Sequence, residues 1–193
     1  MVEEPDTYES RLRAIIDADA CRRFALEAVR DLRLPDCWIG AGFIRAAVWN
    51  CLLDSPVAWD GDVDVIWFDR RRASPLRDQV LQKRLAKHLP RLDWSVKNQS
   101  YMHERNGDKP YTSSFDSVRR WPETATAVAV RLKDNGRIEV LAPFGLRDLF
   151  QGIIRPTPSF ENRKAHIFNQ RYVDKGWLEK WPYLRVATPS RQS

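Results

Sequence analysis

The chain has 193 residues, of which 43% are hydrophobic and 11% aromatic, a composition that excludes a disordered chain and fits one folded domain over 1–193. Its formal net charge of +6 favours anionic partners, although dispersed basic residues also suit an ordinary soluble surface. No apolar run approaches the roughly 18 residues that span a membrane, and the N-terminus lacks the features of a signal peptide. Cys21, Cys37 and Cys51 show neither zinc-site nor disulfide spacing. The sequence therefore predicts a cytoplasmic protein with reduced thiols and no membrane partner.

Apolar spacing and turn residues divide the chain into alternating helices and strands, with a hairpin indicated at Asp134-Asn135-Gly136. The predicted elements begin with two helices within 7–34, broken near 17–19, a strand at 37–39 and a helix at 43–49. A strand at 63–68, a helix at 75–89, a strand at 94–96 and a turn-rich segment at 98–111 follow. The last predicted elements are a helix at 113–121, strands at 124–132 and 137–141, helices at 145–151 and 161–173, and a frayed tail at 187–193. This order predicts an α/β (α+β) fold, a mixed sheet of about five strands flanked by helices, with the helical segment 1–35 packed on it.

Two carboxylates stand at the start of the second predicted strand. Because residues i and i+2 of a strand point to the same face, Asp62 and Asp64 come close together and repel one another. A divalent cation relieves that repulsion, and Mg²⁺, or Mn²⁺ in its place, favours one or two carboxylates together with phosphate oxygens. A pair of solvated aspartates at a strand entrance is the plainer interpretation, since Asp-x-Asp is common.

The turn upstream favours the metal-site interpretation. Gly40, Ala41 and Gly42 are small enough for backbone N–H groups to approach an anion at the start of a helix. Arg45, about one turn into that helix, is a candidate for contacting a phosphate, or is an ordinary surface arginine. The turn, the helix and the Asp-x-Asp strand together predict a site for a nucleoside triphosphate.

These elements resemble the DNA polymerase beta-like nucleotidyltransferase superfamily, and Ala41-Gly42-Phe43-Ile44-Arg45 is similar to the Gly-Gly-x-x-Arg segment of CCA-adding enzymes. Here alanine replaces the first glycine, and the interval from Gly42 to Asp62 is longer. A closer resemblance, to a bacterial family of small nucleotidyltransferase-like proteins, covers nearly the whole chain. Its matching segments are 38–45, 62–65, 96–99, 102–103, 121–126 and 142–146. The resemblance implies a fold and a reaction class, not a substrate.

Superfamily members generally add a third carboxylate from a later strand, and Glu139 is the candidate because an acidic side chain there interrupts an apolar strand. Simple alternation, with Glu139 facing water, is the competing interpretation. A two-residue turn pairs Glu139 with Leu132, whereas a three-residue turn with a Gly136 bulge pairs it with Arg131. Glu123 and Asp93 are weaker candidates for the third acid.

Basic and amide groups gather after the third strand, where Lys97, Asn98, Gln99 and His103 are candidates for contacting a base, ribose or phosphate. Each is also an ordinary loop residue.

The predicted function is transfer of a nucleoside monophosphate from a nucleoside triphosphate to an unknown acceptor, which could be a small molecule, RNA or protein, with release of pyrophosphate. Asp62, Asp64 and Glu139 hold the metal in this hypothesis. One alternative is a glycosyltransferase that uses Asp-x-Asp to hold a nucleotide sugar. Another is a catalytically weak or inactive module that binds nucleotide or nucleic acid on the same scaffold.

Overall fold

A computed structural model describes residues 5–54 and 56–187. The helices are α1 (Pro5–Ala18), α2 (Ala20–Arg30), α3 (Gly42–Asn50), α4 (Pro75–His88), α5 (Met102–Asn106), α6 (Ser114–Val118), α7 (Arg147–Phe150), α8 (Ala165–Asp174) and α9 (Trp177–Lys180). The strands are β1 (Trp38–Gly40), β2 (Asp62–Trp67), β3 (Asp93–Asn98), β4 (Ala129–Leu132), β5 (Ile138–Leu141), β6 (Ile153–Ile154) and β7 (Arg185–Val186).

Five strands form one mixed sheet in the order β3-β2-β1-β4-β5. Strand β1 runs antiparallel to both β2 and β4, β2 and β3 are parallel, and β4 and β5 form an antiparallel hairpin. The short strands β6 and β7 pair separately in parallel. The predicted mixed sheet of five strands flanked by helices is confirmed.

The main hydrophobic core lies between one face of this sheet and the helices. Alternate residues of β2 and β3 point into it, among them the fully buried Val63, Val65 and Val96. Helices α1, α2 and α3 contribute to the same core through side chains such as Leu12, and α1 contacts both α2 and α3. The N-terminal helices therefore pack on the sheet domain.

The opposite face of the sheet carries a smaller apolar cluster, which leaves room for polar groups. Trp38, Ile66 and Leu141 belong to this cluster, with Trp121 packed against it. Because pleating alternates the faces, Asp62 and Asp64 share this second face with Ile66. The fold thus places both carboxylates away from the main core.

Local signals predicted several boundaries correctly. Asp19 caps α2 by accepting a hydrogen bond from the Arg22 N–H, and Ser113 caps α6 in the same way. The hairpin follows the second of its two alternatives, because Arg131 pairs with Glu139. Gly136, at φ 78°, provides the left-handed residue that this turn requires.

Other boundaries were wrong. The predicted strand at 124–132 begins only at Ala129, because Glu123 and Thr126 close a turn by hydrogen bonding. Helix α5 forms within the segment predicted to be turns, and α8 begins at Ala165 rather than near 161. The predicted tail begins too early, since the Ala187 N–H donates to the carbonyl of Ile154; residues 188–193 lie outside the described residues. Within the described ranges, no helix is both long and apolar enough to cross a membrane.

Candidate functional site

Three neighbouring strands bring the glycine turn beside the carboxylates. Gly40 at the end of β1 pairs with Asp64 of β2, which in turn pairs with Ser95 of β3. Paired residues share a face, so the Asp64 carboxylate lies between Gly40 and Ser95. The turn and the Asp-x-Asp segment, which are 20 residues apart in sequence, are therefore adjacent in space.

Burial raises the pKa of both aspartates, and the negative charge of Asp64 adds to the rise at Asp62. Burial, followed by the negative charges of Asp64 and Asp60, raises the pKa of Asp62 to about 6. Burial also raises the pKa of Asp64, while a hydrogen bond from Ser95 and the cations Arg171 and Arg45 oppose that rise. Two partly buried carboxylates held against their repulsion form a site that a divalent cation would stabilise.

Each residue of the small-residue turn has its own structural reason. A Cβ at Gly40 would lie 2.9 Å from Cζ3 of Trp121 and closer still to Cη2, so packing against this indole requires glycine. Ala41 has φ 50° and ψ −116°, a conformation that glycine adopts far more easily. A Cβ at Gly42 would lie only 3.6 Å from Oδ2 of Asp62. The start of α3 therefore faces the carboxylate pair.

Arg45 lies beneath this turn and is not an ordinary surface arginine. Its guanidinium stacks 4.4 Å from the centroid of the Trp177 ring, and its buried Nε has no hydrogen-bond partner among the described residues. Burial lowers its pKa to about 10, although the nearby carboxylates of Glu123 and Asp62 favour its charged form. A buried cation without a bonded anion is available to bind one.

The geometry does not bring Glu139 to the carboxylate pair, contrary to the sequence-based expectation. Glu139 is on β5, three strands away from β2, which corresponds to about 14 Å across the sheet. Its carboxylate bonds to Arg131 Nε at 2.5 Å, and this hydrogen bond is the main reason that its pKa falls below the ordinary value. Glu139 lies on the same face of the sheet as Asp64, but its carboxylate forms an ion pair near the edge of the sheet.

Neither of the two weaker candidates forms a three-acid cluster with the pair in the described chain. Asp93 pairs with Asp62 across β2 and β3, and its charge contributes to the raised pKa of Asp62, but it is exposed. Glu123 is fully buried, accepts a hydrogen bond from Thr126 and pairs with Arg171 at 3.1 Å. Across 5–54 and 56–187, no three His, Cys, Asp or Glu side chains are grouped to hold a metal. The described part of the site thus offers a two-carboxylate set.

The polar residues after the third strand separate into three groups. Lys97 and Gln99 line a large cleft beside Asp64. Asn98 points to the other face, is fully buried, and uses its amide to hold the backbone of Asp69 and Ser100, so it has a structural role. His103 packs edge-on against Tyr111 and is not among the residues that line the cleft. The expected ligand contacts of Asn98 and His103 are therefore not supported by their positions.

The cleft has a volume of about 860 Å³ and is strongly basic. Six Lys or Arg residues line it against two Asp residues, Asp64 and Asp174. The basic residues are Lys97, Arg105, Arg120, Lys164, Arg171 and Lys175. Sequence reasoning missed all of these except Lys97, because the segments on and beside α5, α6 and α8 are distant from β2 in sequence and carry no local signal that their cations face it.

Residues 27–186 match a nucleotidyltransferase family. The fold is similar to an NMR structure described as a CCA-adding enzyme head domain, with TM-score 0.82 and 34% identity over 93% of this chain and 96% of that chain. The architecture is therefore that of a polymerase beta-like nucleotidyltransferase. The chain belongs to this nucleotidyltransferase family.

Two larger structures share the fold at lower identity. A CCA-adding enzyme with CTP gives TM-score 0.51 at 16% identity, over 86% of this chain and 39% of that one. The Thermotoga maritima CCA-adding enzyme complexed with tRNA gives TM-score 0.50 at 16% identity, over 88% of this chain and 39% of that one. This chain thus spans well under half of those two proteins. No curated protein matches the sequence.

Proposed function

We propose that the protein transfers a nucleoside monophosphate from a nucleoside triphosphate to an acceptor hydroxyl or phosphate, with release of pyrophosphate. The pairing of Gly40 with Asp64 carries this proposal, because it sets the start of α3 beside the Asp-x-Asp carboxylates, of which Asp64 lines the basic cleft. In the reaction an acceptor oxygen bonds to the α-phosphorus while the bond from that phosphorus to pyrophosphate breaks. A hydroxyl acceptor loses its proton to water or to a carboxylate of the site.

Asp62 and Asp64 fit a divalent cation such as Mg²⁺, because burial makes both carboxylates costly to ionise and the charge of Asp64 adds to that cost at Asp62. Bound there, the cation would neutralise developing charge on the phosphates. Ser95 orients Asp64 by donating a hydrogen bond, and Gly42 leaves open the approach to Asp62.

The protein's own groups then bind and orient the triphosphate. The N–H groups of Gly42 and Phe43 at the start of α3 have no backbone partner in the described chain, and helix N-termini favour phosphate. Arg45 approaches from beneath the turn, while Arg171 and Lys175 line the cleft near Asp64. Positioning and charge complementarity of this kind supply most of the acceleration in phosphoryl-group chemistry.

The test is pyrophosphate release from each of the four nucleoside triphosphates with Mg²⁺ and a panel of RNA, protein and small-molecule acceptors. Asp64→Asn should abolish release while leaving the circular dichroism spectrum and melting temperature close to wild type. Asp134→Asn, in the exposed hairpin turn, is the matched control and should retain full activity. An Asp64→Asn variant with wild-type turnover would contradict the assignment of the site.

A module that binds nucleotide without turnover is the second candidate. It is favoured by the two-carboxylate set, since no third acidic ligand joins the pair within the described ranges. Calorimetry with a triphosphate and Mg²⁺ separates the two candidates. Tight binding without pyrophosphate release across the acceptor panel would favour the module.

A further inference from the structure

The cleft extends well beyond the carboxylates along strand β3. Ser95 lies beside Asp64, and the cleft-lining residues Lys97 and Gln99 follow at successive positions on the same face. Gln99 directly follows the strand, four residues after Ser95, so the two residues are about 13 Å apart. The cleft therefore has a carboxylate end at Asp64 and a distal end near Gln99.

Helix α8 runs between the same two ends. Lys164, immediately before the helix, bonds to Asp108 at 2.7 Å, next to the loop after α5. Arg171 and Lys175, about 10 to 16 Å further along the helix axis, act electrostatically on Asp64. Strand β3 and helix α8 thus form two long walls that join the same two ends.

Besides Lys164, which is paired with Asp108, three cations line this part of the cleft: Lys97, Arg105 and Arg120, named here the distal cluster. Within the described residues, no ion pair engages Lys97 or Arg105. Arg120 lies over the Tyr111 ring, and only Asp116, at 3.5 Å, balances its charge. Its buried Nε has no hydrogen-bond partner in the part of the chain that the structure describes.

No carboxylate among the residues that line the cleft opposes these charges at the distal end. Asp64 marks the other end, and Asp174 ends α8 beside Lys175. Cations that line the same part of a cleft and have hydrogen-bonding capacity to spare are suited to an anion, and arginine in particular matches the geometry of phosphate. A triphosphate held at Asp64 has its remaining parts, the ribose and the base, uncharged, so the donor substrate supplies no anion here.

We propose that the distal cluster binds a phosphate group of the acceptor, so that the acceptors of this protein are phosphate-bearing molecules. This inference rests on the proposed function, because it assumes that the triphosphate occupies the end of the cleft at Asp64. Lys97 contacts the acceptor phosphate from the sheet, while Arg105 and Arg120 contact it from the α5 and α6 side. The phosphate thereby fixes the distance of the acceptor from the α-phosphorus.

The experiment is a titration with AMP, a phosphate monoester, followed by NMR of the arginine side chains of the full chain. It is done in saturating Mg²⁺ and α,β-methylene-ATP, which block the donor position. AMP should bind in addition to the analogue, and adenosine should bind at least tenfold more weakly. Arg105→Gln and Lys97→Gln should each weaken AMP about tenfold, whereas Arg137→Gln, an exposed arginine outside the cleft, should not. Displacement of AMP by the analogue, or unchanged AMP affinity in Arg105→Gln, would overturn the proposal.

Two further arms separate this inference from the proposed function. Asp64→Asn should lose binding of the Mg²⁺-triphosphate yet keep the AMP-induced shifts at the distal cluster. Loss of triphosphate binding at Asp64 is thereby distinguished from loss of phosphate binding at the distal cluster. A short RNA tested beside AMP identifies the source of the phosphate. Tighter binding of the RNA through the same cluster supports a phosphodiester, and tighter binding of AMP supports a monoester.

Discussion

The carboxylate of Glu123, fully buried, lies 3.1 Å from Nε of Arg171 and accepts a hydrogen bond from Thr126 at 2.5 Å. This ion pair fastens helix α8 to the segment before β4, so that Arg171 faces the cleft near Asp64. One buried acid thus positions a cation of the site.

Removing Glu123 should destabilise the protein. Glu123→Ala leaves Arg171 without its partner and is expected to lower the free energy of unfolding by about 3 kcal/mol. This value is at the low end of the range for a broken buried ion pair, because Arg171 is partly exposed. Arg155→Ala breaks the more exposed ion pair with Asp148 and should cost under about 1 kcal/mol. Urea unfolding measures both, and equal costs would contradict the structural role of Glu123.

Gly40 and Gly42 should respond differently to alanine. Gly40→Ala forces a Cβ against the Trp121 ring and is expected to destabilise the protein by about 1–3 kcal/mol, as overpacking does. Gly42→Ala meets nothing closer than 3.6 Å and should fold normally, but it narrows the approach to Asp62. Its effect should therefore appear as weaker triphosphate binding in calorimetry. A stable Gly40→Ala variant would rule out the clash.

Ala41→Gly should stabilise the protein. At φ 50° and ψ −116° an alanine is strained, and glycine relieves the strain at a smaller cost in chain entropy, for a net gain of about 1 kcal/mol. The control is Ala46→Gly in the interior of α3, which should lose about 1 kcal/mol. Melting temperatures moving in the same direction for both variants would argue against strain at Ala41.

Asp62→Asn should stabilise the protein when metal is removed. The pKa of Asp62 is about 6 in the folded state and 3.8 in the unfolded state. The loss of folding stability caused by ionised Asp62 therefore grows as pH rises from 3.8 to 6 and is complete above pH 6. In EDTA at pH 7.5 the variant should gain about 1 kcal/mol, a value discounted for solvent screening. Saturating Mg²⁺ should stabilise the wild type and not the variant. A less stable variant in EDTA would contradict the raised pKa of Asp62.

Cys37 should resist alkylation. Burial, reinforced by the charge of Asp36, raises its pKa to about 12, so almost no thiolate exists at pH 8. Cys21 and Cys51 are exposed, and iodoacetamide should label these two thiols first, as peptide mass spectrometry will show. The same shift predicts stability that is constant below pH 9 and falls as pH rises towards 12. Labelling of Cys37 in folded protein at the rate of Cys21 would contradict this.

The sequence by itself determined the features that depend on neighbouring residues. The two-residue period of a strand put Asp62 and Asp64 on one face, and local capping and glycine signals set the start of α2, the start of α6 and the hairpin at Gly136. These outcomes follow from backbone geometry over a few residues, so no knowledge of the partner strands was needed.

Only the tertiary structure decided which groups meet at the site. Strand order is set by packing between distant segments, and it leaves Glu139 three strands, about 14 Å, from the strand of Asp62 while it brings Gly40 beside Asp64. The same packing brought Arg171 close to Asp64, more than 100 residues away in sequence. It also buried the side chain of Asn98 on the opposite face of the sheet. Side-chain periodicity determines which face of the sheet a residue occupies. Which residues of other strands lie beside it on that face is determined by the packing of the whole sheet.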